Sequence, residues 1–238
     1  MRTETIEYQE GATTCEGFAA YEDKGGKRPA VLVVPEWNGV SDYTKKRAQM
    51  LAELGYTAFV ADIYGKGVRP TTMDACAAEA AKYQKDRPLL RKRARAALDR
   101  MLQLANADTN KVAAIGYCFG GTTVLELARD GANLRGVVSF HGALNTPNPT
   151  DAKNIKASIL VLHGADDPVV PDAEVLAFEK EMRDGKVDWE FVAYGNTVHS
   201  FTVPDAGKHD IAGMKYNKSA DEDSWKRLVA LLTEKFKR

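Results

Sequence analysis

Short apolar runs alternate with amphipathic stretches along this chain. Thr3–Tyr8 and Thr14–Tyr21 alternate with period two, which predicts an N-terminal hairpin followed by a Lys/Gly-rich turn at Lys24–Lys27. Val31–Val34 is a continuous apolar run closed by Pro35, the pattern of a strand buried on both faces. Ser41 and Asp42 offer a helix cap, and Ala48, Leu51 and Ala52 follow at helical spacing up to a stop at Gly55. Thr57–Ala61 predicts the next strand.

Asp62–Arg87 is less regular, with a helix expected over Ala75–Tyr83, so residues 62–88 read as a pocket wall or lid. Pro88 suits a helix start, with Ala94, Leu98, Met101, Leu102 and Ala105 on one apolar face. Val112–Ile115 predicts a strand, and a helix follows to about Asp130. Gly136–Phe140, Ile159–Leu162 and Trp189–Val192 are further strands, and Asp172–Met182 and Asp223–Lys237 are amphipathic helices. Such alternation implies one α/β domain over residues 1–238, a mostly parallel central sheet with helices on both faces.

Composition narrows the functional classes. Lys plus Arg and Asp plus Glu each total 33 in 238 residues, so no basic surplus points to nucleic acid or an anionic membrane. No apolar run is long enough to cross a bilayer, and the N-terminus does not read as a secretory signal. Cys15, Cys76 and Cys118 are an odd number at unrelated spacings, which fits a reducing cytoplasm rather than a disulfide framework. No Cys/His cluster has metal-ligand spacing and no phosphate or dinucleotide loop is present, so no metal or cofactor is expected. A small-molecule substrate and a monomer or small homo-oligomer are the expectation.

Gly116-Tyr117-Cys118-Phe119-Gly120-Gly121 follows the Val112–Ile115 strand and carries the pattern G-x-C-x-G. This is a nucleophile elbow of the α/β-hydrolase type with sulfur at its apex. Glycines two positions to either side of the apex are needed because side chains there would collide across the turn. A cysteine opening a helix also meets unpaired amides and a dipole that favour thiolate. Cys15 and Cys76 lack that setting and read as structural.

A thiol nucleophile needs a base, and the base needs an orienting acid, in the chain order nucleophile, acid, histidine. After Ile159–Leu162 come Asp166 and Asp167, and after the last strand comes His199. Position alone leaves the two aspartates as alternatives. Of the four histidines only His199 satisfies the order; His141 and His163 end strands as core or pocket residues, and His209 sits in a polar stretch expected to be exposed. The loop Pro35-Glu36-Trp37-Asn38-Gly39 would supply the Trp37 amide to an oxyanion hole, with the Phe119 amide as the second donor. Tyr64, Tyr117, Phe201, Trp37, Phe119 and His141 are candidates for lining a pocket, although aromatics at these places are as readily core.

Val31-Leu-Val-Val-Pro-Glu-Trp-Asn-Gly, Val60-Ala-Asp-Ile-Tyr-Gly, Gly116-Tyr-Cys-Phe-Gly-Gly, Asp167-Pro-Val-Val-Pro and His199-Ser-Phe closely resemble the dienelactone hydrolase family over nearly the whole chain. The resemblance implies an α/β-hydrolase that cleaves esters or lactones through a Cys118–His199–Asp167 triad, and its D-x-x-V-P turn selects Asp167 over Asp166. It also implies that Glu36 pairs with the cysteine and helps activate it when substrate arrives. The family's carboxylate-binding arginine after the histidine has no counterpart in Ser200–Val203, while Arg69 and Arg87 lie in the region that supplies the other. The expected activity is that of a carboxylic ester hydrolase working through a thioester. The alternatives are a general carboxylesterase or thioesterase, and more remotely a non-hydrolytic protein with Cys118 as a redox-sensing thiol.

Overall fold

The computed structural model of the chain describes residues 1–23, 25–207 and 212–237. Lys24, which begins the expected turn, and His209, expected to be exposed, lie outside the described residues. The chain divides into two compact units, Met1–Ile115 and Gly116–Arg238.

In the first unit, strands β1 (Arg2–Glu10) and β2 (Thr13–Tyr21) form the expected hairpin, in register from Arg2 opposite Tyr21 to Glu10 opposite Thr13. The period-two pattern is visible in burial: Ile6 and Tyr8 point inward while Thr5 and Glu7 are exposed. Strands β3 (Arg28–Val34) and β4 (Thr57–Val60) pair in parallel, and β2 runs antiparallel beside β4. With β5 (Ala107–Tyr117), the order in this part of the sheet is β1-β2-β4-β3-β5. β5 begins before the apolar run Val112–Ile115; Asp108 is partly covered and Thr109 and Asn110 are exposed, so this first part of the strand carries no apolar pattern.

The helices of this unit start where side chains can cap them. Ser41 Oγ accepts the Thr44 N–H at 3.4 Å while Thr44 Oγ1 accepts the Ser41 N–H at 3.1 Å, a reciprocal box that opens α1 (Asp42–Glu53). Thr72 caps α2 (Met73–Lys85). Asp86 Oδ1 accepts the Leu89 N–H at 2.9 Å and opens α3 (Arg87–Leu102), with Pro88 in the first turn. Ala94, Leu98 and Met101 face the core as expected, but Ala105 is exposed. The helix ends at Leu102, so helical spacing no longer applies, and Leu104 takes the covered position instead.

The excursion after β4 is tied down by Asp62, which is fully buried. Its carbonyl accepts the Tyr8 hydroxyl at 2.8 Å and its Oδ2 accepts the Glu16 N–H at 2.8 Å. Its Oδ1 accepts from Gly65 N–H at 3.1 Å and from Arg69 Nη1 at 3.3 Å. The excursion thereby folds onto the hairpin.

The second unit continues from the end of β5 into α4 (Phe119–Arg129), then β6 (Gly136–Phe140), β7 (Ser158–Gly164), α5 (Asp172–Gly185), β8 (Trp189–Tyr194) and α6 (Lys218–Lys237). β6, β7 and β8 are parallel neighbours in that order. A 3-10 turn over Pro149–Asn154 has no apolar signature and was not expected. α6 starts at Lys218 rather than Asp223, because Asn217 Oδ1 accepts the Ala220 N–H and caps a polar first turn. Arg129, fully buried, donates to Glu126 at 3.0 Å, to both oxygens of Glu181 at 2.8 Å and to the Leu144 carbonyl at 2.9 Å. These bonds satisfy charges that burial would otherwise penalise heavily, and they join α4 to α5. Among the described residues no helix is long and apolar enough to cross a membrane.

Candidate active site

Cys118 stands between β5 and α4 with φ 53° and ψ −117°, a left-handed conformation that non-glycine residues adopt only when their surroundings enforce it. The turn is tight enough that a Cβ on Gly116 would overlap the Gly120 carbonyl and come within 2.7 Å of the Gly121 nitrogen. The G-x-C-x-G spacing is therefore a steric requirement of this backbone. The Cys118 N–H is shared between the Phe140 carbonyl at 2.9 Å and His141 Nδ1 at 3.2 Å. Cys118 is half-buried, whereas Cys15 and Cys76 are buried.

His199 Nε2 lies 3.1 Å from Cys118 Sγ, and its Nδ1 lies 2.7 Å from Asp167 Oδ2. Asp167 Oδ1 accepts the Val169 N–H at 2.8 Å, which fixes the carboxylate plane. Asp166 is exposed, and its N–H goes to the Thr197 carbonyl at 2.9 Å. The carboxylate within reach of the imidazole is that of Asp167. Cys118, His199 and Asp167 thus form one hydrogen-bonded chain drawn from the ends of β5, β8 and β7.

The loop bearing His199 is held by main-chain bonds to a segment that sequence reading passed over. The His199 N–H donates to the Gly213 carbonyl at 3.0 Å, and the His199 carbonyl accepts the Lys215 N–H at 3.1 Å. Gly213 has φ 81°, and a Cβ there would overlap the ring of Pro168, the residue after Asp167. The supports of acid and imidazole therefore meet at a residue that has no side chain.

Burial of the imidazole, taken alone, would lower the His199 pKa. The negative charge of Cys118 beside it and the hydrogen bonds to Asp167 and Cys118 outweigh that penalty, and the pKa is pushed up to about 10. Between the ordinary histidine value of about 6.5 and that limit, His199 stays protonated where a free histidine would be neutral. NMR titration should show the His199 imidazolium persisting through neutral pH in the native enzyme. In Cys118→Ala its titration should move to markedly lower pH, because the largest raising contribution is gone. An unchanged midpoint in that variant would show that Asp167 alone sets it.

Glu36, in the first unit, is buried (8% exposed) in the turn closed by the Gly39 N–H to its carbonyl at 3.0 Å. Trp37 is half-buried, and its carbonyl accepts the Tyr64 hydroxyl at 2.9 Å. Tyr64 stacks on Tyr83 with ring centroids 5.3 Å apart. Arg69 is occupied by Asp62 and by the carbonyls of Gly65, Val68 and Glu16. In the second unit, Phe119 is the first residue of α4, so its amide is among those that helix geometry directs off the N-terminus. Tyr117, Phe201 and His141 are fully buried: Tyr117 stacks on Phe140 at 4.6 Å, and Phe201 meets the His141 ring at 5.2 Å. His163 is also buried, with its pKa lowered by desolvation.

A parallel α/β scaffold with an elbow cysteine, and an imidazole and a carboxylate on later loops, defines an α/β-hydrolase. The model of the dienelactone hydrolase family matches residues 15–236, and the chain belongs to that family. It is a hydrolase of ester or lactone bonds. Two solved structures superpose over 99% of this chain and 98% of their own. One, named m3DLH, is 42% identical with a TM-score of 0.96. The other, a dienelactone hydrolase-like promiscuous phosphotriesterase called P91 from metagenomic libraries, is 44% identical with a TM-score of 0.95. A protein of Bradyrhizobium sp described as a probable 2-oxo-3-(5-oxofuran-2-ylidene)propanoate lactonase is 28% identical over 98% of this chain and 96% of its own.

Proposed function

We propose that the protein hydrolyses a small-molecule carboxylic ester or lactone by covalent catalysis, with Cys118 as nucleophile, His199 as acid and base, and Asp167 as its orienting partner. The observation that carries this reading is the unbroken chain from Cys118 Sγ through both ring nitrogens of His199 to Asp167. The Cys118 thiolate attacks the carbonyl carbon, and the oxyanion is held by the Phe119 amide at the α4 N-terminus. As the tetrahedral intermediate collapses, the His199 imidazolium gives its Nε2 proton to the departing alkoxide. A thioester on Cys118 and a neutral imidazole remain. Forming that thioester removes the charge that raised the His199 pKa, so the imidazole becomes a competent base at the step that needs one. It takes a proton from water, hydroxide attacks the thioester, and the acid leaves as the thiolate–imidazolium pair is restored. Glu36 and the Trp37 amide enter this proposal from sequence alone, as activator and second oxyanion donor.

A p-nitrophenyl ester should release a burst of p-nitrophenol stoichiometric with enzyme, and intact mass with peptide mapping should find the acyl group on Cys118. A folded, reduced enzyme that cleaves esters or lactones with no adduct on Cys118 would refute the nucleophile assignment. The 44% identity to a promiscuous phosphotriesterase supports a second reading, in which the same thiolate attacks phosphorus. A p-nitrophenyl dialkyl phosphate offered in parallel distinguishes them: turnover of the phosphate alone would favour that reading.

A further inference from the structure

His141 is a buried imidazole whose two nitrogens both point at the reacting loops. Its Nδ1 faces the Cys118 N–H at 3.2 Å, and its Nε2 is 2.7 Å from Thr202 Oγ1, three residues beyond His199. The ring stands edge-on to that of His199, with centroids 5.3 Å apart. Its own backbone is held at φ 40°, and its N–H is spent on the Leu162 carbonyl at 2.9 Å. A positive φ at a histidine costs strain, and the structure retains it at the carboxyl end of a strand, beside the elbow.

These contacts fix the tautomer. An amide N–H can only donate, so Nδ1 must be the unprotonated nitrogen. The proton sits on Nε2, and Thr202 Oγ1 accepts it. The ring is a neutral bridge between the elbow and the loop of His199.

We infer that His141 is a positioning residue for the hydrolytic reaction: the Nε2–H tautomer clamps the Cys118 amide to the Thr202 hydroxyl and so sets the Cys118–His199 contact. The Phe140 carbonyl also accepts the Cys118 N–H from the end of β6, and His141 adds a link from that amide to the His199 loop. Its removal leaves the elbow formed and the thiol displaced relative to the imidazole, and misplacement by about 1 Å lowers rates by roughly 100-fold.

This inference rests on Cys118 being the nucleophile, and the test separates the two. The rate of Cys118 acylation by a p-nitrophenyl ester is compared in the native enzyme, His141→Phe and His141→Asn. Phenylalanine keeps the ring and loses the acceptor; asparagine keeps an acceptor near the Nδ1 position and tolerates positive φ. The expected result is about a 100-fold slower acylation in His141→Phe with little change in substrate affinity. His141→Asn, which keeps the acceptor for Cys118 but does not reach Thr202, should recover only part of that loss, and both variants should keep cooperative thermal unfolding. If His141→Phe does not fold, His141→Gln, which reaches Thr202 but moves the acceptor away from Cys118, replaces it with the same expectation. Native acylation rates in the folded variant lacking the acceptor, or equal losses in both variants, would overturn the inference. Absence of acylation in the native enzyme would instead overturn the nucleophile assignment, and this inference with it.

Discussion

Cys118→Ala is expected to lower ester hydrolysis by about 10⁴-fold or more, the loss typical when a nucleophile acting in concert with its base is removed. The methyl group cannot attack a carbonyl, and any residual turnover would come from water held near the Phe119 amide. The fold should be unaffected. Cys118 contributes no side-chain cap to α4, and the left-handed backbone at 118 already accommodates a Cβ. Cys118→Ser is the more discriminating change. A hydroxyl is far less acidic than a thiol, so serine would not hold a resting negative charge opposite His199, and the imidazolium would lose its largest source of stabilisation. Serine activity should therefore be a small fraction of that of cysteine, with a pH profile governed by a less basic His199. Comparable rates for the two enzymes would mean that the site works as an ordinary serine-type base and that the thiolate–imidazolium pair is incidental.

The second large effect is on structure. Gly116→Ala should destabilise the protein by about 3 kcal/mol or more, because the added methyl strikes the Gly120–Gly121 backbone and no rotamer can move it away. The Gly120 carbonyl it would strike belongs to the first turn of α4, so relief requires shifting the helix or unbending the elbow. For a chain of this length such a loss corresponds to a fall in melting temperature of roughly 6–12 °C. Activity should fall further than stability accounts for, since the surviving folded molecules would carry a displaced thiol. A variant with native melting temperature and native rate would show that the turn is looser than its geometry indicates.

Much of this organisation is legible in the sequence, for reasons that differ by element. The hairpin, the buried strands and the helices of α1 and α3 announce themselves through period and caps, because each is specified by residues within a few positions of one another. The elbow is legible because its steric demand falls on the neighbours of the cysteine itself. Asp167 and His199 can be placed by order along the chain, although choosing Asp167 over Asp166 from sequence needed the family's D-x-x-V-P turn. In the structure Asp166 is exposed, while the Asp167 carboxylate lies within hydrogen-bond reach of His199.

What sequence missed has no local signature. Asp62 reads as a loop carboxylate, yet its partners Tyr8, Glu16 and Arg69 are gathered from two separate parts of the chain. The early start of α6 hid behind a polar first turn. His141 reads in the sequence as a strand-end histidine and a pocket candidate, with no sign of a bridge, because its partner Thr202 is 61 positions away. Gly213, in a stretch with no apolar rhythm, gave no sign that it carries the backbone of His199.

That last feature constrains how the chain can change through descent. The ring of Pro168 occupies the space that any side chain at 213 would need. Acquiring a Cβ at 213 first would press on the turn that presents Asp167, whereas losing the ring at 168 first opens room. The two positions are thus coupled: losing proline first removes the clash, while the strain of a side chain at φ 81° remains in either order.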